Sequence, residues 1–515
     1  MQKAQNQSRS KLLGEMPMNK LVPKISVPIM ISMMVQALYN VVDSIFVARY
    51  DPDALTAVSL AYPIQMLMIA LSVGMGVGIN SLISRKLGEK NIQEARSAAW
   101  NGIFIEACSF LIFLIVGLFL AAPCMNLFTS ESLNNAAKIR ELGTSYLSIV
   151  CTFSFGVFMS ICFERMLQST GNTMLSMITQ LTGAVCNIVL DPILINTLDM
   201  GIQGAAIATV ISQWVSMLLG FTLNQLRNTE LRLRLKEFRL RAASLKGILA
   251  VGIPCAVMQS IASVMNVAMN AILSAFPLEG NAAVNVLNIY FKLQSFVFMP
   301  VFGLGSGMVA IVGYNFGARL RQRVYDAIKV ALRYAIAIML VGTILFLAIP
   351  GPLMSLFEGA PAEQPAEAVT AETVLTAENA DAAPEVLVPA ETAETADTVI
   401  TALPDGEAPA EELPAQTARS MSEIGIIAMR IICIHFIFAA IGITLSNVFQ
   451  AIGKGNYGLI MSLCRQLVVL VPTAWLLSKI SLDAVWYSFL IAELVSLAIC
   501  LFLYRRVDKK MLSVL

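Results

Sequence analysis

The chain has 515 residues, 57% of them apolar and 13% charged, with a mean hydropathy of +0.73. Soluble domains carry about twice that share of charge, so a water-soluble enzyme, a disordered chain and a disulfide scaffold are excluded, and a polytopic membrane protein remains. The net charge of +1 supplies no basic field for nucleic acid.

A spanning helix needs about 20 apolar residues. Residues 1–24 form a polar tail bearing Lys3, Arg9, Lys11, Lys20 and Lys24. No small-residue cleavage site follows a short apolar core, so the first run reads as an uncleaved span. Apolar runs lie near 25–48, 56–83, 98–122, 142–167, 173–197 and 203–225, and again near 246–275, 282–312, 328–350, 422–449, 457–478 and 482–504. These make twelve spans. With a cytoplasmic N-terminus, the inner segments hold 28 of the 35 Lys and Arg residues, including a connector at 227–245 and a tail at 505–515. That positive-inside bias predicts that both termini are cytoplasmic.

The halves are related. Gly74, Gly76, Gly78 and Gly88 recur 229 residues later as Gly303, Gly305, Gly307 and Gly317. Gln168 and Gly171 meet Gln450 and Gly453 at offset 282, Pro192 and Gln213 meet Pro472 and Glu493 at 280, and Pro28 and Asn40 meet Pro254 and Asn266 at 226. Six spans followed by six related spans enter from the same side, an arrangement of secondary transporters. An N-lobe over 25–226 and a C-lobe over 246–358 and 421–504 follow. The jump in offset marks an insertion at 359–420. Its segment 361–420 is rich in Ala, Glu, Thr and Pro, with thirteen acids and one base, which predicts a disordered extracellular loop.

Nine cysteines are scattered singly, eight of them in apolar runs, and predict neither a disulfide framework nor a metal site but buried thiols. GxSxG, HExxH and Walker sequences are absent, so enzyme chemistry and ATP use are not expected.

Four stretches resemble the multidrug and toxic compound extrusion (MATE) family, in its MepA-like branch: Val41–Val47, Asn187–Ile195, Gly204–Val210 and Gly313–Gly317. The resemblance covers roughly 20–505 apart from the insertion. It implies an all-α fold of two six-helix lobes facing a central cavity in the cell membrane. The activity implied is cation-coupled efflux of cationic or amphipathic drugs by a monomer without cofactor or ATP, driven by H⁺ or Na⁺. A lipid-linked saccharide flippase of the same superfamily is the alternative; it would line its cavity with Arg and Lys for a diphosphate.

Charges at membrane depth are functional candidates. Asp43 and Asp191 lie in the outer halves of spans one and five, with no acids at the equivalent C-lobe positions, Met269 and the neighbourhood of Pro472. Gln36 and Asn40 share the helical face of Asp43, and Asn187 that of Asp191. The resemblance carries a family cluster onto Asp43, Asn187, Asp191 and Thr209, with Gln36 and Tyr146 beside them; Na⁺ could sit at Asp43, Asn187 and Asp191. In the C-lobe, Glu493 and Lys292 could pair with each other or face the cavity. Glu106 and Glu164 read as acids near the membrane surface, and His435 as a polar packing residue. An ion that favours one conformation and a drug that favours the other are coupled through one equilibrium.

Overall fold

The computed structural model describes residues 10–130, 135–234, 237–355 and 419–515, with only the backbone described over 39–50 and at 52. Residues 359–418 of the expected insertion lie outside that range. A short helix, α1 (Ser10–Glu15), precedes the N-terminal lobe: α2 (Met18–Tyr50), α3 (Pro52–Gly88), α4 (Ile92–Ile115), α5 (Ala121–Phe128), α6 (Ala136–Thr152), α7 (Phe155–Ser169), α8 (Thr173–Pro192) and α9 (Gly201–Arg227). The C-terminal lobe comprises α10 (Ala242–Ser274), α11 (Gly280–Gly317), α12 (Arg321–Ala348), α13 (Pro350–Ser355), α14 (Met421–Ile432), α15 (Phe436–Ala451), α16 (Gly455–Leu463), α17 (Val471–Ser478) and α18 (Leu482–Val507). Among the described residues, eleven helical segments are long and apolar enough to cross a bilayer. The pair α6 and α7, bent by 45°, is the twelfth span. The fold is all-α, as expected, with no strand among the described residues.

The repeat is visible in local geometry. α7 and α15 end in turns whose glycines, Gly171 and Gly453, take φ of 78° and 84°. Their N–H groups donate to Gln168 and Gln450 carbonyls at 2.9 and 3.0 Å. Glycine suits both places because a Cβ disfavours this left-handed backbone. The bend between α6 and α7 has its counterpart in the 3₁₀ turn Cys433–His435 between α14 and α15.

A matched ion clamp closes each lobe at the face opposite the basic loops. Lys138 at the start of α6 reaches Asp51 at 2.7 Å and Asp53 at 2.9 Å. Arg419, before α14, reaches Glu279 at 2.7 Å and Asp483 at 2.8 Å. Asp53 and Glu279 stand at the offset of Pro28 and Pro254. Next to Arg419, Ser420 and Glu423 form a capping box that starts α14, satisfying two backbone donors the helix leaves unpaired.

The lobes cross where α3 packs on α10 and α2 on α11. Small residues let the backbones meet there. A Cβ on Gly74 would lie 2.6 Å from the Ala256 nitrogen, and one on Gly303 would lie 2.7 Å from the Met30 Cα. Nearer the basic face, Ser81 Oγ of α3 donates to the Gln450 carbonyl of α15 at 2.6 Å. α1 lies across this end. Ser10 Oγ donates to Glu230 at 2.7 Å, and the carbonyl of fully buried Leu13 accepts from Asn315 Nδ2 at 2.9 Å and Arg323 Nη2 at 3.0 Å. Burial pushes the Glu230 carboxyl up, against the lowering effect of the Ser10 hydrogen bond.

The cysteines are all free. Five are buried, but Cys108 is exposed, which corrects the expectation that cysteines in apolar runs are buried. An apolar span has a lipid-facing side, and a thiol is at home there.

Candidate functional site

α8 packs on α9 and α2, and α2 also touches α9, so the spans carrying the expected N-lobe site residues meet. Asn187 and Asp191 are 3% and 0% exposed. They lie one turn apart on α8, and Asn187 Nδ2 donates to Asp191 Oδ1 at 3.1 Å. The amide thereby orients one carboxylate oxygen. Pro192 follows Asp191 directly, and the helix loosens into a π-helical turn over Ile193–Thr197. Such turns often accompany functional sites.

Thr209 on α9 is half-buried, and its carbonyl accepts from Ser212 Oγ at 2.8 Å. Tyr146 on α6 is buried, and its hydroxyl donates to Gln65 Oε1 of α3 at 3.5 Å. Gln65 is a polar neighbour that sequence reasoning missed; no motif or repeat mate singled it out. Gln36 is exposed on α2. The side chains of Asn40 and Asp43 lie outside the described residues, although the backbone there continues as helix.

In the C-terminal lobe, Glu493 on α18 is 3% exposed. Its cation comes from an unexpected helix. Arg465 Nη1 reaches Glu493 Oε2 at 3.5 Å, whereas the sequence suggested Lys292, which is exposed. Arg465 lies within a span, in the π-helical segment Cys464–Leu470 joining α16 to α17. That segment widens the helix and turns the arginine toward α18. Its signal in sequence was only an arginine at the ninth residue of the apolar run 457–478.

His435 is buried in the 3₁₀ turn. Its Nδ1 stands 2.6 Å from the Ile432 carbonyl and its ring lies among Phe298, Phe436 and Phe489. This is the packing role expected of it.

Among the described residues, no three His, Cys, Asp or Glu side chains come together as a metal site. A surface depression between α5 and α6, lined by Asn126, Arg140, Glu141 and Thr144, lies apart from the polar set on α8.

The MatE family profile matches residues 28–193 and 254–376, one stretch in each half and together more than half of the chain. A multidrug export protein, MepA, of Staphylococcus haemolyticus is 28% identical over 317 residues, covering 61% of this chain and 68% of that protein. A solved outward-facing multidrug resistance MATE transporter of the MOP superfamily superposes with a TM-score of 0.79 at 24% identity, covering 98% of each chain. A MOP superfamily transporter from Pyrococcus furiosus, described as having a binding pocket of reverse polarity, gives 0.80 at 24% identity over 99% of each chain. These two likenesses are of fold. With the profile matched in both halves, the chain belongs to the MatE family of multi-pass membrane transporters.

Proposed function

We propose that this transporter exports cationic or amphipathic small molecules in exchange for H⁺ or Na⁺, the two lobes opening alternately to either face. The observation that carries the reading is the buried Asn187–Asp191 pair where α2, α8 and α9 meet. A buried carboxylate held by an amide attracts a proton or a small cation, and a cationic cargo competes for the same charge. An ion that favours one conformation then drives cargo through the other. The name of the staphylococcal relative supports multidrug cargo. The protein works as a monomer in the cell membrane, without ATP.

The basic loops support a cytoplasmic location for both termini. A cysteine at Gly359 is then labelled from outside and one at Arg234 is not; the reverse pattern sinks this orientation. For coupling, the full chain in liposomes is given a ΔpH or a Na⁺ gradient separately while ethidium efflux is followed. Efflux driven by one gradient supports the exchange, and efflux indifferent to both removes it.

The reverse-polarity transporter raises a second reading, an anionic lipid-linked cargo. Its best support here is Arg465, but that guanidinium is already engaged by Glu493.

A further inference from the structure

The N-terminal lobe holds three ionisable groups that the site on α8 does not use. Glu106 on α4 and Glu164 and Arg165 on α7 are 0%, 5% and 6% exposed. The neighbouring spans cover both acids, so neither is a solvated surface group. Glu106 lies roughly 20 Å along α4 from its start at the basic face.

Each group is held by a neutral partner. Ser72 Oγ of α3 lies 3.2 Å from Glu106 Oε2. Gln180 Nε2 of α8 donates to Glu164 Oε2 at 2.6 Å. Arg165 Nη1 donates to Gln168 Oε1 at 2.8 Å. Among the described residues no ion pair joins the three, and Glu106 Oε1 and Arg165 Nε are buried without a hydrogen-bond partner.

The repeat shows that the fold does not require these charges. Gly76 makes room for Arg165, whose Cγ would lie 2.9 Å from a Cβ there. The equivalent Gly305 makes room for Asn447, at the offset of Gln168 and Gln450. The same offsets carry Glu164 onto Ser446 and Glu106 onto Ala335. The C-terminal lobe thus builds the same corner from Ala335, Ser446 and Asn447, without a charge.

Fully ionised, the layer sums to one negative charge with an unsolvated carboxylate oxygen. Burying such a charge is strongly disfavoured, and a group so placed neutralises instead. The single partner of Glu106 is a hydroxyl, which accepts as readily as it donates. A protonated Glu106 donates to Ser72 Oγ and brings the layer to zero.

The elements packed on Glu106 offer little else that titrates. Over this depth α3 has no ionisable side chain, α7 brings Arg165, Glu164 and Cys162, α10 brings Cys255, and α6 meets the far end of the span with Cys151 beside Gly117.

We propose that Glu106, Glu164 and Arg165 form a second proton-binding site in the N-terminal lobe, with one proton held on Glu106. When that proton leaves, Arg165 is the cation available to the carboxylate. As a coupling site it rests on the ion-exchange reading; as a proton site it stands alone.

Infrared spectra of the full-length protein in lipid nanodiscs at neutral pH test it. The carbonyl band of one protonated carboxyl is lost in Glu106→Gln and persists in Asp191→Asn. An unchanged spectrum in Glu106→Gln overturns the proposal. If Glu106→Gln does not fold, Ser72→Ala decides: the band shifts as the acid loses its acceptor, and an unshifted band overturns the site. In lightly buffered solution, ethidium binding releases one proton fewer from Glu106→Gln than from wild type; equal release removes the coupling role. Failure of the exchange reading looks different, with efflux indifferent to both gradients while the Glu106 band remains.

Discussion

The two lobes share a frame and differ in charge. Each has a fourth span interrupted in its α-helix, a left-handed glycine after it and an ion clamp at one face. At membrane depth they part company. The N-terminal lobe places Asp191 beside Asn187 and a separate layer at Glu106, Glu164 and Arg165. The C-terminal lobe has Leu467 and Val471 at the positions of Asn187 and Asp191 in its eleventh span, Asn447 in place of Arg165, and its own pair Arg465–Glu493 where the first lobe has Gln213 at the position of Glu493. Features present in both copies close the helix frame. Charges present in one copy are not needed for closure, and the variants below test what they do instead.

The largest test of this contrast is on the acids. Asp191→Asn and Asp43→Asn are expected to abolish gradient-driven efflux while leaving the protein folded and some drug bound. Glu493→Gln, whose carboxylate already has an arginine, is expected to retain most efflux. Near-normal coupled efflux in both Asp→Asn variants would move the coupling to the C-terminal lobe and reverse the comparison.

Stability separates the lobes next. Arg465→Gln leaves Glu493 buried without its cation, which costs roughly 1–3 kcal/mol. The double variant with Glu493→Gln is expected to recover most of the lost thermal stability, because neither charge remains. A double variant no more stable than Arg465→Gln would show that the arginine acts through packing instead.

A smaller effect belongs to the clamps. The hydrogen bond from Arg419 holds the Glu279 carboxyl below the usual carboxylate range, against partial burial. A depressed carboxylate stabilises the fold above its ordinary value of 4.5, and that contribution is lost as pH falls through the folded value. Wild type is therefore expected to lose thermal stability below about pH 4.5 more steeply than Glu279→Gln. The exposed geometry keeps the difference within about 1 kcal/mol. Parallel melting curves would remove the clamp from the frame.

The smallest effect expected is none. Deleting 361–415, present in the second half alone, leaves each half its six spans and should retain transport. Loss of efflux in a deletion that still reaches the membrane would make the segment part of the machinery.

The twelve spans were legible because a bilayer imposes one simple demand, a long apolar run, and the repeat because glycines and prolines mark fixed places in it. Asn187 and Asp191 were legible as a pair because one helical turn separates them. Partnerships between spans were not. Nothing in spacing says that Arg465 turns to α18, because a π-helical segment sets that direction. Nor does spacing say that Glu106 is covered, since burial of a polar residue depends on which neighbours close over it. The clamp at Arg419 was half legible: Glu279 is the repeat mate of Asp53, but Lys138 at offset 282 falls on Ser420, one residue past Arg419.

α1 ties the two lobes together. Its Leu13 carbonyl is taken by two side chains of one lobe, while Ser10 is tied to Glu230 beside the other. Any separation of the lobes at that face has to break one set of these bonds. A bulky fusion placed directly before Ser10 should alter turnover more than drug affinity.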